Sequence, residues 1–156
     1  MIASFDAVNA MLAEIGPAID ARDIVIDVER CRWTVAVDRI DSNEIVIDYD
    51  AAREELTART SLGPVNPVQI EDTYAFMLTF NARQNGPGAV RLGIEGPGGD
   101  AVLIFKLSLR GIDARTLTSV LREVETLAPA LQSVIGLGVN FAASPVSPAA
   151  VGWPCA

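Results

Sequence analysis

The side chains that could do chemistry are few. The chain has no histidine and two cysteines, Cys31 and Cys155. Without histidine it lacks the commonest general base and the commonest metal ligand. Asp48 and Asp50 in EIVIDYD stand two apart, on one face of a strand, where a carboxylate pair could hold a hard cation. No third ligand stands near them. Asp38, Asp41 and Glu44 belong to turns, so the pair reads as solvated strand charge. Ser61, Ser108 and Ser119 have no histidine to activate them and no GxSxG elbow. Gly86-Pro87-Gly88 and Gly96-Pro97-Gly98-Gly99 lack the lysine of a GxxxxGK[ST] phosphate loop and read as turns. The sequence therefore predicts no catalytic residue, no metal and no cofactor. The one catalytic alternative is a small enzyme working with carboxylates alone.

The bulk numbers bound the rest. A chain of 156 residues, half of them hydrophobic, suits one domain with its own core. The net charge of -8 argues against nucleic acid or an anionic membrane as partner, since both require a basic surface. The two cysteines read as free thiols in a reducing cytoplasm, with a Cys31–Cys155 disulfide as the unsupported alternative. The first residues, MIASFDAVNAML, carry Asp6 and no basic region, unlike a secretory signal.

Periodicity supplies the elements. Ser4 is an N-cap for a first helix whose Phe5, Val8, Met11, Leu12 and Ile15 fall on one face. Ile24 to Val28 is a strand or an extended connection. Cys31 to Asp38 is a strand with Cys31, Trp33, Val35 and Val37 on one face. Glu44 to Asp50 places Ile45, Ile47 and Tyr49 together, and Glu55 to Leu62 does so for Leu56, Ala58, Thr60 and Leu62. Short turns between them give an antiparallel meander. Asn66, Pro67 and Gln69 then open a second helix running to about Arg83, with a capping box. Ile70, Tyr74, Met77 and Leu78 lie along one of its sides and Phe76 and Phe80 open another. A helix apolar on two sides is buried on two sides. One takes its own sheet, and the other invites a second copy of the chain.

Gly86 to Leu109 is a hairpin. Val90, Leu92 and Ile94 precede the glycine-proline turn, and Leu103, Phe105, Leu107 and Leu109 alternate after it. Val102 and Ile104 make the opposite face of the last strand apolar as well, so something must cover them. Asp113 caps a final helix that presents Leu117, Val120, Leu121 and Val124 on one face, and Pro129 ends or kinks it. From Thr126 to Ala156 no residue is charged. Residues 127–143 are apolar enough to raise a membrane span, but Pro129, Gln132, Ser133 and the absence of a basic flank weaken it. Residues 1–136 read as one domain and 137–156 as a flexible Gly/Ala/Pro/Ser tail, whose Val151 and Trp153 could dock on the body.

The order helix, three strands, helix, two strands, helix is that of an α+β domain with a twisted, mainly antiparallel sheet of about five strands. With SFDAVNAMLAEIG, CRWTVAVD, LGPVNP and GPGAVRLGIEGPGGDAVLIFKLSLRGIDARTLTSVLREV, it resembles the class I type III secretion chaperones of the Tir-chaperone (CesT-like) family. Gly111-Ile112-Asp113 stands where that family has a small step into its last helix. The uncharged segment after Pro129 departs from the family pattern. The resemblance implies a non-enzymatic, cytoplasmic bacterial homodimer. It would hold the N-terminal region of a secreted effector extended and deliver it to an export apparatus, with the apparatus ATPase as a further partner. On that reading Tyr74, Phe76, Met77 and Phe80 are dimer-interface candidates. Phe5, Val8, Leu12, Val46, Val102 and Ile104 are candidates for contact with the effector. The alternative of another class is an adaptor of the same fold that binds a regulator.

Overall fold

A computed structural model describes residues 4–37, 44–84 and 89–137. Helix α1, Phe5–Ile15, leads through a 3-10 turn into four strands: β1 Ala21–Asp27, β2 Arg32–Val37, β3 Glu44–Asp50 and β4 Glu55–Gly63. Helix α2, Ile70–Arg83, follows, then β5 Arg91–Ile94, β6 Ala101–Ser108 and helix α3, Ala114–Leu137. The six strands form one sheet in the order β1-β2-β3-β4-β6-β5, with every neighbouring pair antiparallel. The architecture is α+β, as expected. The segment that could have been a connection, Ile24 to Val28, contributes a sixth strand at the sheet's edge.

Alternation sorts the sheet into two faces. Trp33, Val35, Ile45, Ile47, Leu56, Leu62 and Leu103 are at most 2% exposed on the inner face. There α1 contributes buried Val8, Leu12 and Ile15, and α3 contributes Leu117, Leu121, Val124, Ala128, Leu131 and Ile135. Each such aliphatic side chain gains about 1.5–3 kcal/mol by leaving water. Phe5 stacks on Trp33 with ring centroids 4.5 Å apart, and the Trp33 Nε1–H donates to Asn9 Oδ1 at 3.1 Å. A buried indole needs such an acceptor.

The caps follow the sequence in part. The Ala7 N–H donates to Ser4 Oγ at 3.2 Å. The Thr116 N–H and hydroxyl both donate to Asp113 Oδ1 at 2.7 Å. These two bonds hold the Asp113 carboxyl below its ordinary value. The Val68 N–H donates to Asn66 Oδ1, but the turn it caps, Pro67–Gln69, is 3-10 and α2 begins at Ile70. Gln69 Oε1 is buried and accepts no hydrogen bond, so the expected capping box is not formed. Helix α3 continues through Pro129 to Leu137. The proline removes one backbone donor and costs about 3 kcal/mol in a helix interior. Burial of Ala128, Leu131 and Ile135 beyond it offsets that cost. The Gln132 amide donates to the Ser61 carbonyl at 3.1 Å. The Arg122 guanidinium donates twice to the Ala18 carbonyl, at 2.9 and 3.1 Å. Cys31 has φ 50° and lies in the turn before β2, not on the strand. Cys155, the Asp41-Ser42-Asn43 turn, Gly86-Pro87-Gly88 and residues 138–156 lie outside the described residues.

Candidate functional site

The carboxylate pair separates. Asp48 accepts a hydrogen bond from Arg32 Nε and stands 3.8 Å from Arg59 Nε. The bond to Asp48 raises the Arg32 pKa further. Asp50 Oδ1 accepts from the Ala52 and Arg53 N–H groups of the following turn at 2.9 and 3.0 Å. Both carboxylates are therefore engaged in structure. Among the described residues, no group of three or more His, Cys, Asp or Glu is placed to hold a metal ion, and no helix is long and apolar enough to cross a membrane.

The outer face of the sheet carries the apolar residues left off the core. Register places Val25, Thr34, Val46, Arg59, Ile104 and Arg91 in one row across all six strands. Val102 stands beside it, opposite Ser61 and Gly93. Val46, Val102 and Ile104 thus share a face, but Arg59 stands between Val46 and Ile104. Arg59 is held there by Asp48 and by Glu95 at 3.5 Å. Val102 is only 7% exposed. Beside it lies Gly93, where a Cβ would meet Ile104 Cδ1 at 3.1 Å and Val102 Cγ2 at 3.5 Å. The Ile104 and Val102 side chains lean over the room the glycine leaves. Glu44, Val46, Arg59, Ser61, Glu95 and Val102, with Thr60, line a shallow open depression of about 220 Å³. It is a dent in a sheet face, not an enclosed pocket for a small molecule.

The three helical candidates lie on the other side of the sheet. Val8 is 0% and Leu12 1% exposed. In this structure both are packed in the chain's own core and do not reach a surface. Phe5 is half-buried on Trp33 at the core's margin. The six proposed contact residues therefore do not form one patch.

Helix α2 lies against β5 and closes that edge of the sheet. The Asn81 amide donates to the Leu92 carbonyl and accepts from the Leu92 N–H, both at 2.8 Å. Thr73 and Met77 are buried beneath it, while Phe76 and Phe80, rings 6.3 Å apart, pack against the core. Of the four interface candidates only Tyr74 is surface-exposed. It lies on a ridge with Ile70 and Leu78, at i, i+4 and i+8, and Leu78 is 71% exposed. Periodicity names that ridge in the sequence, but does not say which side of α2 its own sheet takes.

The opposite edge is unsealed by any described residue. Among the described residues β1 has a strand on one side only. Val25, Ile26 and Val28 are 57%, 43% and 68% exposed. Exposed apolar residues on an unpaired edge form a template for another strand. Acidic side chains flank it in DARDIVIDVER: Asp20, Asp23, Asp27 and Glu29 against Arg22 and Arg30. The inner-face residues Ile24 and Ile26 of β1 pair with Val35 and Trp33. A strand added outside β1 would therefore set alternate side chains beside Ile24 and Ile26, one strand removed from Trp33.

No protein-family model matches the chain, and no curated protein matches it by sequence. Solved structures do match in fold. A chain of the crystal structure of the ExsC–ExsE complex superposes with a TM-score of 0.65 at 15% identity, over 84% of this chain and 95% of that one. A chain of the HopA1–SchA chaperone–effector complex gives 0.62 at 14% identity, over 81% and 94%. YbjN from E. coli, proposed to be a transcription regulator, gives 0.60 at 12% identity, over 84% and 89%. At these identities the likeness establishes the fold, and that fold is the one the sequence resemblance implies.

Proposed function

We propose that this chain is a non-catalytic binding module of the type III secretion chaperone kind. It takes an extended segment from the N-terminal region of a secreted effector along the free edge of β1, keeps it extended in the bacterial cytoplasm and passes it to the export apparatus and its ATPase. The observation that carries the reading is the contrast between the edges among the described residues: β5 is sealed by α2 through Asn81, whereas β1 is left open with apolar side chains. The fold shared with a chaperone–effector complex supports it. Strand addition gives affinity through the backbone and specificity through alternate side chains, with no cofactor and no nucleotide.

Magnitudes limit how small the contact can be. Cross-strand pairs contribute roughly 0.2–1 kcal/mol each. Ordering a disordered segment costs about 2–5 kcal/mol or more. A strand of β1's length therefore does little better than break even alone, and the partner must anchor further apolar side chains nearby. The test is capture: an effector fragment encoded near this chain co-purifies with it and becomes resistant to protease. Failure with every such fragment contradicts the reading.

The module works as a two-fold dimer through the α2 ridge of Ile70, Tyr74 and Leu78, because a two-fold axis presents one apolar patch to itself. Light scattering at micromolar concentration is expected to give twice the 16.6 kDa monomer mass. Leu78→Glu is expected to give a folded monomer, because Leu78 is exposed in the single chain. Phe80→Asp instead weakens the fold, because Phe80 packs on the core. A wild-type monomer, or a Leu78→Glu dimer, contradicts this interface.

The second reading is an adaptor of the same fold whose partner is a regulator, favoured by the likeness to YbjN. The identity of the captured protein separates the two.

A further inference from the structure

The edge strand β1 has a charge pattern as well as an apolar one. Register puts Asp23, Val25 and Asp27 on the outer face, opposite Ala36, Thr34 and Arg32. Ile24 and Ile26 lie on the inner face, opposite Val35 and Trp33. Along the strand this reads acidic, apolar, apolar, apolar, acidic. Among the described residues nothing pairs with its far side, and Val25 and Ile26 are exposed there. The two carboxylates are not equally engaged. Asp27 Oδ1 accepts from the Arg30 N–H at 3.1 Å, and the Arg30 guanidinium stands 3.7 Å from Oδ2. Asp23 is exposed and has no hydrogen bond or ion pair from its carboxylate among the described residues, the adjacent Arg22 included. Its row continues through Ala36 to Glu44, so on these three strands it holds two acids and no base.

These charges choose among occupants of the edge. A second copy of β1 fits badly. The antiparallel two-fold register that matches the three apolar residues sets Asp23 of each copy opposite Asp27 of the other, and like charges directly opposite are destabilising. Registers shifted by two residues instead set a carboxylate opposite Val25. A wholly apolar segment leaves Asp23 beside a side chain that offers it nothing. A segment with a cation at each of the two outer-face positions meets both carboxylates and still lays apolar side chains along Ile24, Val25 and Ile26.

We propose that the partner segment taken by β1 carries the pattern basic, apolar, apolar, apolar, basic, with a Lys or Arg opposite Asp23 and another opposite Asp27. This rests on the reading of that edge as the binding site and adds what the edge selects. Two of the apolar residues lie beside Ile24 and Ile26, and the middle one lies beside Val25. The pattern reads the same in both directions, as the edge does, so it serves a parallel or an antiparallel strand. More weight falls on the base opposite Asp23, since Arg30 already meets part of the Asp27 charge. Between the flanks a carboxylate on the edge finds no cation, so Val25→Glu opposes the segment that Asp23 attracts.

The test is selection by the full chain from a random peptide library, each peptide longer than β1 and displayed in many copies, so that avidity makes weak pairing readable. The wild type is expected to enrich peptides with Lys or Arg on both sides of three apolar residues. Replacing both bases of such a peptide by Gln should weaken its binding about three- to thirtyfold, the range for two exposed ion pairs. Asp23→Lys changes an exposed side chain with no bond to lose, so the fold should stand. It should turn one flank of the enriched pattern acidic and leave the other basic, and the end that turns reports the direction of the added strand. A selection that enriches no such pattern overturns the motif. So does basic enrichment that Asp23→Lys leaves unchanged, which assigns the attraction to the net charge of -8. Each enriched peptide is also offered to Val25→Glu/Val28→Glu. Peptides without basic flanks that lose binding there remove the motif and leave the edge reading standing. Peptides that keep it bind elsewhere and contradict both.

Discussion

Asn81→Leu is expected to lower the unfolding free energy by about 2–6 kcal/mol, because it orphans two backbone groups at once, each costing roughly 1–3 kcal/mol. The Leu92 N–H and C=O point away from β6 and are met by the Asn81 amide at 2.8 Å each. Leu92 itself is 5% exposed, so water is a poor substitute partner. Leucine fills a similar volume but offers neither a donor nor an acceptor. The loss also uncovers a second sheet edge, so concentration-dependent aggregation should accompany the drop in denaturant midpoint. Asn81→Asp separates the two contributions: its carboxylate still accepts from the Leu92 N–H but repels the Leu92 carbonyl. It should be destabilised without a change in side-chain volume. A shift of less than about 0.5 kcal/mol for Asn81→Leu, the range of an ordinary surface change, would show that the amide bridge does not hold the edge.

Val25→Glu/Val28→Glu is expected to weaken capture of a partner segment at least about tenfold, or 1.4 kcal/mol, while leaving thermal stability nearly unchanged. Both residues are more than half exposed, so little core contact is lost. Two further carboxylates on an edge already flanked by Asp23 and Asp27 oppose the approach of a segment and remove its apolar neighbours. Val68→Glu is the matching control. It adds the same kind of charge at a residue 88% exposed, just before α2, and should leave capture intact. Equal losses in the two variants would mean that net charge, and not the β1 edge, decides binding.

The inner face of the sheet was legible in the sequence because a buried face on β2, β3 and β4 enforces a clean period of two. Trp33, Val35, Ile45, Ile47, Leu56 and Leu62 all lie where alternation puts them. The edge strand β1 was less legible. Its Arg22, Asp23 and Asp27 interrupt the apolar run, and among the described residues only one side of it is paired. Helical stripes identify a face but not how deep it sits. Val8 and Leu12 are therefore core, while Phe5 in the same stripe is at the margin. The approach of Val102 and Ile104 over Gly93 was invisible because it depends on Gly93 being opposite in register, a fact of pairing. The sealing of β5 had no sequence signal at all. An asparagine inside an amphipathic helix is unremarkable until the helix is seen against a strand edge.

Hydrogen exchange of the full chain, free and with a captured effector segment, tests the central claim most directly. Strand addition predicts that the amides of β1, Ala21–Asp27, slow more than any others on binding, with little change across β5, whose edge Asn81 already holds. Slowing confined to α2 or to the outer face around Val46 and Ile104, with β1 unchanged, would contradict the account.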